Sequence, residues 1–124
     1  MKKIILSTLL LVFAIGFSAC EKIEKDTPKA IKKLIRENGG MGGQIAEYEY
    51  NKESIYMWFQ VGCFDCFTDY YDKNANLLWQ SGGFDGKGQG TPLEGFYGNA
   101  IFKRIIWTDK KTKEYLENKT NKNG

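Results

Sequence analysis

The 124-residue chain has no histidine, only two prolines and only three cysteines. Without histidine, one copy cannot build a His-based triad, an imidazole acid/base pair or a His-ligated metal centre. No repeat of about 3, 7 or 20 to 50 residues runs through it, and aromatics are plentiful, which excludes collagen-like, coiled-coil and wholly disordered classes. Long apolar runs are also missing. The longest, Ile4 to Phe17, would span about 21 Å as a helix against the roughly 30 Å of a hydrocarbon core, and Ser7 and Thr8 interrupt it. What is present is 42% hydrophobic, 15% aromatic and 27% charged residues, enough for one small globular domain.

Lys2 and Lys3, the apolar run, and small residues before Cys20 form a secretory address over residues 1–19. Ordinary signal peptidase needs small residues one and three positions before its cut, and Phe17 stands third before Cys20. Phe17-Ser18-Ala19-Cys20 instead resembles a bacterial lipobox, with Phe17 where leucine is commonest. The resemblance implies that Cys20 is acylated, by palmitate-like chains, and becomes the mature N-terminus. At about 0.8 kcal/mol per buried CH₂, more than one chain makes a stable membrane anchor. Residues 20–26 then form a lipidated tether, and the expected address is the bacterial cell envelope, outer rather than inner membrane.

Cleavage before Cys20 removes two lysines, leaving 16 basic against 15 acidic residues. Near-neutral charge and an envelope address leave no argument for a nucleic-acid partner. Charge is nevertheless uneven. Residues 21–36 carry six basic and three acidic groups, 37–94 three and nine, and 95–124 seven and three. This is either solvated surface or a charged docking face.

Asp26-Thr27-Pro28 predicts a helix start, capped by Asp26 or Thr27 with Pro28 in the first turn. Ala30, Ile31, Leu34 and Ile35 recur at helical spacing, and the helix should end near Asn38 with Gly39 as a left-handed terminator. Ile45 to Tyr50 alternates Ala46, Tyr48 and Tyr50 against Ile45, Glu47 and Glu49, as a strand does. A turn at Asn51 to Glu53 leads into the β-branched and aromatic run Ser54 to Val61, giving a hairpin. Phe67 to Tyr71 and Leu77 to Gln80 predict a second hairpin around Asp72 to Asn76. The glycine-rich stretch Ser81 to Gly90 should break the sheet. Ile105 to Trp107 predicts a closing strand, with a short helix over Asn99 to Arg104 as an alternative. Residues 110–124 read as a polar tail, disordered or a frayed helix. The expected fold is α+β over residues 27–109: one N-terminal helix packed on an antiparallel meander sheet of four to five strands.

Cys63-Phe64-Asp65-Cys66 admits three readings. Redox catalysis wants the first cysteine at a helix N-terminus, whereas the following residues read as a strand and two aspartates are near. Zinc wants about four ligands, and only two thiolates remain once Cys20 is acylated. A structural pair fixing a tight turn is the third reading, and an oxidising envelope favours a Cys63–Cys66 disulfide. The glycines of Ser81 to Gly90 invite an anion-cradle reading, but Ser81, Gly88 and Thr91 break the Walker and dinucleotide registers. A long loop using positive φ, or a ligand-contacting loop with Asp85 and Lys87, remains. Tyr48, Tyr50, Tyr56, Trp58, Tyr70, Tyr71, Trp79 and Trp107 crowd a sheet with one helix to cover it. They form a core, an exposed aromatic face, or both. The binding candidates are Tyr56, Trp58, Trp79, Asp85 and Lys87. Glu47 and Glu49 are about 7 Å apart on one strand face, but solvated strand surface explains them. No catalytic residue, metal ligand or cofactor is expected.

Thr27-Pro28, Tyr48-x-Tyr50, Ile55 to Cys63, Tyr71-Asp72, Gly82 to Gly90 and Ile106-Trp107-Thr108-Asp109 together resemble an uncharacterised family of small Bacteroidota envelope lipoproteins, a domain of unknown function. Gln89 stands where that family's glycine loop has aspartate, and the cysteines here are spaced rather than adjacent. The resemblance implies the envelope address and the architecture, and transfers no catalytic residue. The expected function is a non-enzymatic module that binds a protein or glycan. The competing expectations are an inhibitor or immunity protein acting on a hydrolase through the acidic midsection, and a thiol-disulfide protein using Cys63 and Cys66.

Overall fold

A computed structural model describes residues 22–123. The leader, the lipobox-like stretch and Cys20 lie outside the described residues. The chain forms helix α1 (Lys29–Asn38), a 3-10 turn (Gly39–Met41), and strands β1 (Gln44–Tyr50), β2 (Glu53–Phe59), β3 (Phe67–Tyr71) and β4 (Leu77–Gly82). One helical turn α2 (Phe96–Asn99), strand β5 (Ile101–Thr108) and helix α3 (Lys110–Asn123) complete it. The fold is α+β, with an N-terminal helix on an antiparallel five-stranded sheet of order β4-β3-β2-β1-β5. β1 to β4 form a meander. β5 departs from it, returning across the sheet to pair with β1.

α1 begins differently from its sequence signal. Thr27 turns its hydroxyl back to donate to the Glu24 carbonyl at 2.6 Å, and Asp26 occupies left-handed φ at +66°. Neither side chain caps the helix, which starts instead on the preset φ of Pro28, at −55°. At the other end Gly39 stays right-handed, at φ −60°. The left-handed reversal comes three residues later, at Gly42 (φ +78°), because the 3-10 turn adds one tighter turn first. Asn51 and Lys52 both take positive φ, +50° and +64°, the two-residue geometry that matches the twist of the β1–β2 hairpin.

Each sheet face has its own core. On one, Ile31 and Ile35 of α1 bury against Ile45, Tyr56, Trp58, Ile106 and Trp107. Strict alternation would send Ile106 and Trp107 to opposite faces. A register shift between Ile45 and Ala46 lets both consecutive residues pack under the helix. On the other face Ile55, Tyr70, Trp79 and Phe96 cluster. Its cover is the segment from Gly83 to Ala100, which must travel from the β4 edge to the β5 edge and lays Phe96 into the sheet as it crosses.

The polar C-terminal stretch, read as disordered or a frayed helix, forms helix α3. Asp109 caps it: one carboxylate oxygen accepts N–H groups from Thr112 (3.1 Å) and from Gly43 (3.0 Å). Partial burial opposes ionisation of Asp109, but these hydrogen bonds outweigh it and hold the carboxyl below its ordinary value of 3.8. A depressed carboxyl stabilises the fold fully above its unfolded value and loses that contribution as pH falls through the folded one. Asp109→Ala should therefore cost about 1–2 kcal/mol at neutral pH and flatten the acid limb of the stability curve below about pH 4. Thermal unfolding between pH 2 and 7 measures it, and an unchanged midpoint at pH 7 would contradict the capping role.

Candidate functional site

α1 packs over β1, β2 and β5, while on the same face β3 and β4 are only half-buried, with Tyr71 at the margin of the helix core. The period of two puts Phe67, Asp69 and Tyr71 on that face, and the registers Trp58↔Asp69 and Asp69↔Gln80 extend the row across three strands. The result is a cleft of ≈ 380 Å³ beside the helix end. Trp58, Phe67 and Tyr71 give it aromatic walls; Asn38 and Met41 reach it from the end of α1 and the turn that follows. Gln60, Asp65 and Cys66 line its far side.

The polar groups here are held in place. Asp69 accepts from the Gln80 amide at 2.6 Å and from the Tyr71 hydroxyl at 3.2 Å. Burial, and then the neighbouring Asp69 carboxylate, push the Tyr71 phenol up to about 12, so it stays a neutral donor in ordinary conditions. The Gln60 amide donates to the Met41 carbonyl at 3.2 Å, while its oxygen lies 3.0 Å from the Cys66 sulfur. A bridged sulfur has no proton to give, so this second approach is a packing contact. Gln60 thereby ties the end of the helical segment to the cysteine loop and fixes the cleft's width. The lining carries two carboxylates, four amide or phenol groups and no lysine or arginine.

Cys63 and Cys66 are joined as a disulfide with Cα atoms 5.5 Å apart. No helix begins at Cys63; the pair staples the loop between β2 and β3, with Phe64 projecting at its tip.

The aromatic binding candidates have other duties. Tyr56 is buried with its hydroxyl on Glu47 (3.0 Å), and burial followed by the Glu47 charge pushes its phenol up to about 12. Trp58 is 7% exposed, gives only an edge to the cleft and donates its indole N–H to the Gly42 carbonyl. Trp79 is 2% exposed, beneath the opposite face, stacked on Tyr70 at 4.3 Å and bonded to the Tyr97 hydroxyl. Tyr56 and Trp58 are buried under α1, and Trp79 under the returning segment, which covers the face that counting helices alone leaves open. Glu47 and Glu49 pair with Arg104 and Lys103.

Asp85 and Lys87 are exposed in the glycine loop and do not line the cleft. The loop does not simply break the sheet, since β4 continues through Gly82 and Gln80 then exchanges two hydrogen bonds with Gln89. Gly86 and Gly88 donate to Gly83 and Gly82, and Lys87 donates to the Asp85 carboxylate. Four successive N–H groups, from Gly86 to Gln89, are thus directed into the loop or back onto β4. The cleft residues Asn38, Gln60, Phe67, Asp69 and Gln80 were not singled out by sequence. The available signal was Asp69 between Phe67 and Tyr71 at period two, a carboxylate on a face that otherwise reads as core.

Among the described residues no group of three or more Cys, Asp or Glu could hold a metal ion, and no helix is long and apolar enough to cross a membrane. No curated protein and no solved structure matches the chain. Residues 29–109 do match a family defined as a domain of unknown function, DUF6970, from the first residue of α1 to the cap of α3. The chain belongs to that family.

Proposed function

We propose that this protein is a non-enzymatic binding module, held in the bacterial cell envelope by lipid on Cys20, and that its ligand is a neutral glycan segment seated in the cleft. The observation that carries this reading is the pairing of aromatic walls with planar hydrogen-bonding groups on fixed partners, in a hollow without a basic residue. Sugar rings present apolar C–H faces and alternating hydroxyl donors and acceptors. Tyr71 and Phe67 suit the former; Asn38, Gln60, Gln80 and Asp69 suit the latter. Two carboxylates and no cation disfavour acidic ligands by like-charge repulsion. The volume falls in the range of small-molecule sites.

Titration calorimetry of the full chain in detergent against neutral oligosaccharides tests this, with acidic oligosaccharides and a lysine-rich peptide as further arms. Neutral sugars should bind, and Gln80→Ala should weaken them about 3- to 10-fold, the loss of one hydrogen bond and the loosening of Asp69. Unfolding midpoints should stay within a few degrees. Binding of the peptide alone, of acidic sugars alone, or of no arm would each overturn the glycan reading.

A further inference from the structure

Among the described residues, the two most exposed large apolar side chains are phenylalanines, Phe64 at 95% and Phe84 at 88%. They occupy different loops, between β2 and β3 and after β4, yet the topology puts both at one end of the sheet. β2 ends at Phe59 and β3 begins at Phe67, where β4 finishes at Gly82 opposite it. Gly83, next to Phe84, lies against the Phe67 ring, and Gly82 lies against the Cys66 carbonyl. Both loops are internally braced: one by the disulfide, the other by the Asp85–Lys87 turn and the Gln80–Gln89 pair. Two exposed rings are thus held side by side in the topology, on braced loops at one end of the sheet.

The same end is where the chain enters the fold. Glu24 donates to the Ile106 carbonyl, and Lys25 accepts from Arg104. The segment therefore runs antiparallel to β5, and Lys22 lies beside Trp107 and Thr108. Thr108 pairs with Gln44, and Gln44 with Phe59, so the three positions share one sheet end. α3 starts there as well, and its Tyr115 lies against Gly62 of the disulfide loop. That helix carries five lysines against two glutamates. Apolar tips, a basic helix and the tether's origin thus converge on one pole.

We infer that this pole docks directly on a phospholipid bilayer, with the Phe64 and Phe84 rings entering the interface and the α3 lysines facing anionic headgroups. It takes its starting orientation from the anchored reading above but makes its own contact. Asp65 and Asp85 follow the two phenylalanines in sequence, and their charge limits entry to the ring itself. Lysines near a negative surface add attraction that salt screens.

The full chain, reconstituted in vesicles of phosphatidylcholine and phosphatidylglycerol, tests it with brominated lipids as depth quenchers. Phe64→Trp and Phe84→Trp should each add emission that these lipids quench at least twofold, while Trp58, Trp79 and Trp107 of the unsubstituted chain are barely affected. The double variant Phe64→Ser, Phe84→Ser should keep its unfolding midpoint. Made without the leader and Cys20, it should partition onto the same vesicles about tenfold less than the equally truncated chain with both phenylalanines. Added tryptophans that are unquenched in vesicles to which the chain stays bound would overturn the docked pole and leave the lipid anchor standing. A chain that leaves the vesicles yet is quenched when added back would sink the anchor and support the pole. Loss of both refutes both.

Discussion

Gly43→Ala should lower the unfolding midpoint by on the order of 15 °C or more. Gly43 holds φ at +118°, a region that a residue with a Cβ enters at a cost of about 1–2 kcal/mol. Space is the larger obstacle. A Cβ there would stand 2.6 Å from both the Phe59 carbonyl oxygen and the Trp58 indole nitrogen. Neither can yield freely: the carbonyl is in the β2 backbone, and the indole is fixed by its bond to Gly42. Overpacking of this kind costs about 1–3 kcal/mol more. Gly43 also donates its N–H to the Asp109 carboxylate, and its carbonyl accepts from the Asp109 N–H, so displacing it loosens α3 as well. At about 4–8 °C per kcal/mol for a domain of this size, the summed cost of about 2–5 kcal/mol centres on a shift of that order. Near-UV circular dichroism of the tryptophans during heating would measure it. A midpoint within 3 °C or so of the original would mean that the glycine corner is looser than described. Gly40→Ala, with nothing within 4 Å of the new Cβ, is the matched control.

Trp79→Ala should cost about 3–5 kcal/mol, the range for removing a buried indole. Trp79 stacks on Tyr70, meets Phe96 edge to face at 5.0 Å and satisfies its N–H on Tyr97. Its removal takes away the floor on which the returning Phe96 turn rests, so the β5 connection should open along with the second core. Trp79→Phe keeps the ring contact and loses the hydrogen bond and some volume, and should cost less than half as much. Chemical denaturation of the three proteins separates the cases. A platform for an external ligand would behave otherwise: the alanine variant would keep its stability and lose a binding partner.

Local patterns were legible wherever one chain segment carried its own rule. The 3- and 4-residue spacing of Ile31, Leu34 and Ile35 marks α1, the alternation from Ile45 to Tyr50 marks β1, and Asp72 to Asn76 marks a turn whose aspartate accepts two backbone N–H groups. Burial pushes the Tyr70 phenol up to about 12, on a face whose cover the strand pattern left open. Caps were less legible, because Thr27 and Asp109 each had several donors or acceptors in range and only the folded chain chooses. Thr27 turned away from the helix it precedes; Asp109 capped a helix whose own sequence has a weak apolar stripe.

By itself, the sequence determined the α+β class, the α1 register, the four-strand meander and the close approach of Cys63 to Cys66, since these depend on neighbours within a few residues. Tertiary structure alone decided which aromatics are buried, where β5 pairs and where the cleft lies. Those outcomes depend on where α1 packs on one face and on the route from Gly83 to Ala100 across the other. A crossing of that kind joins residues far apart in the chain, and no local periodicity encodes the face over which the chain will pass.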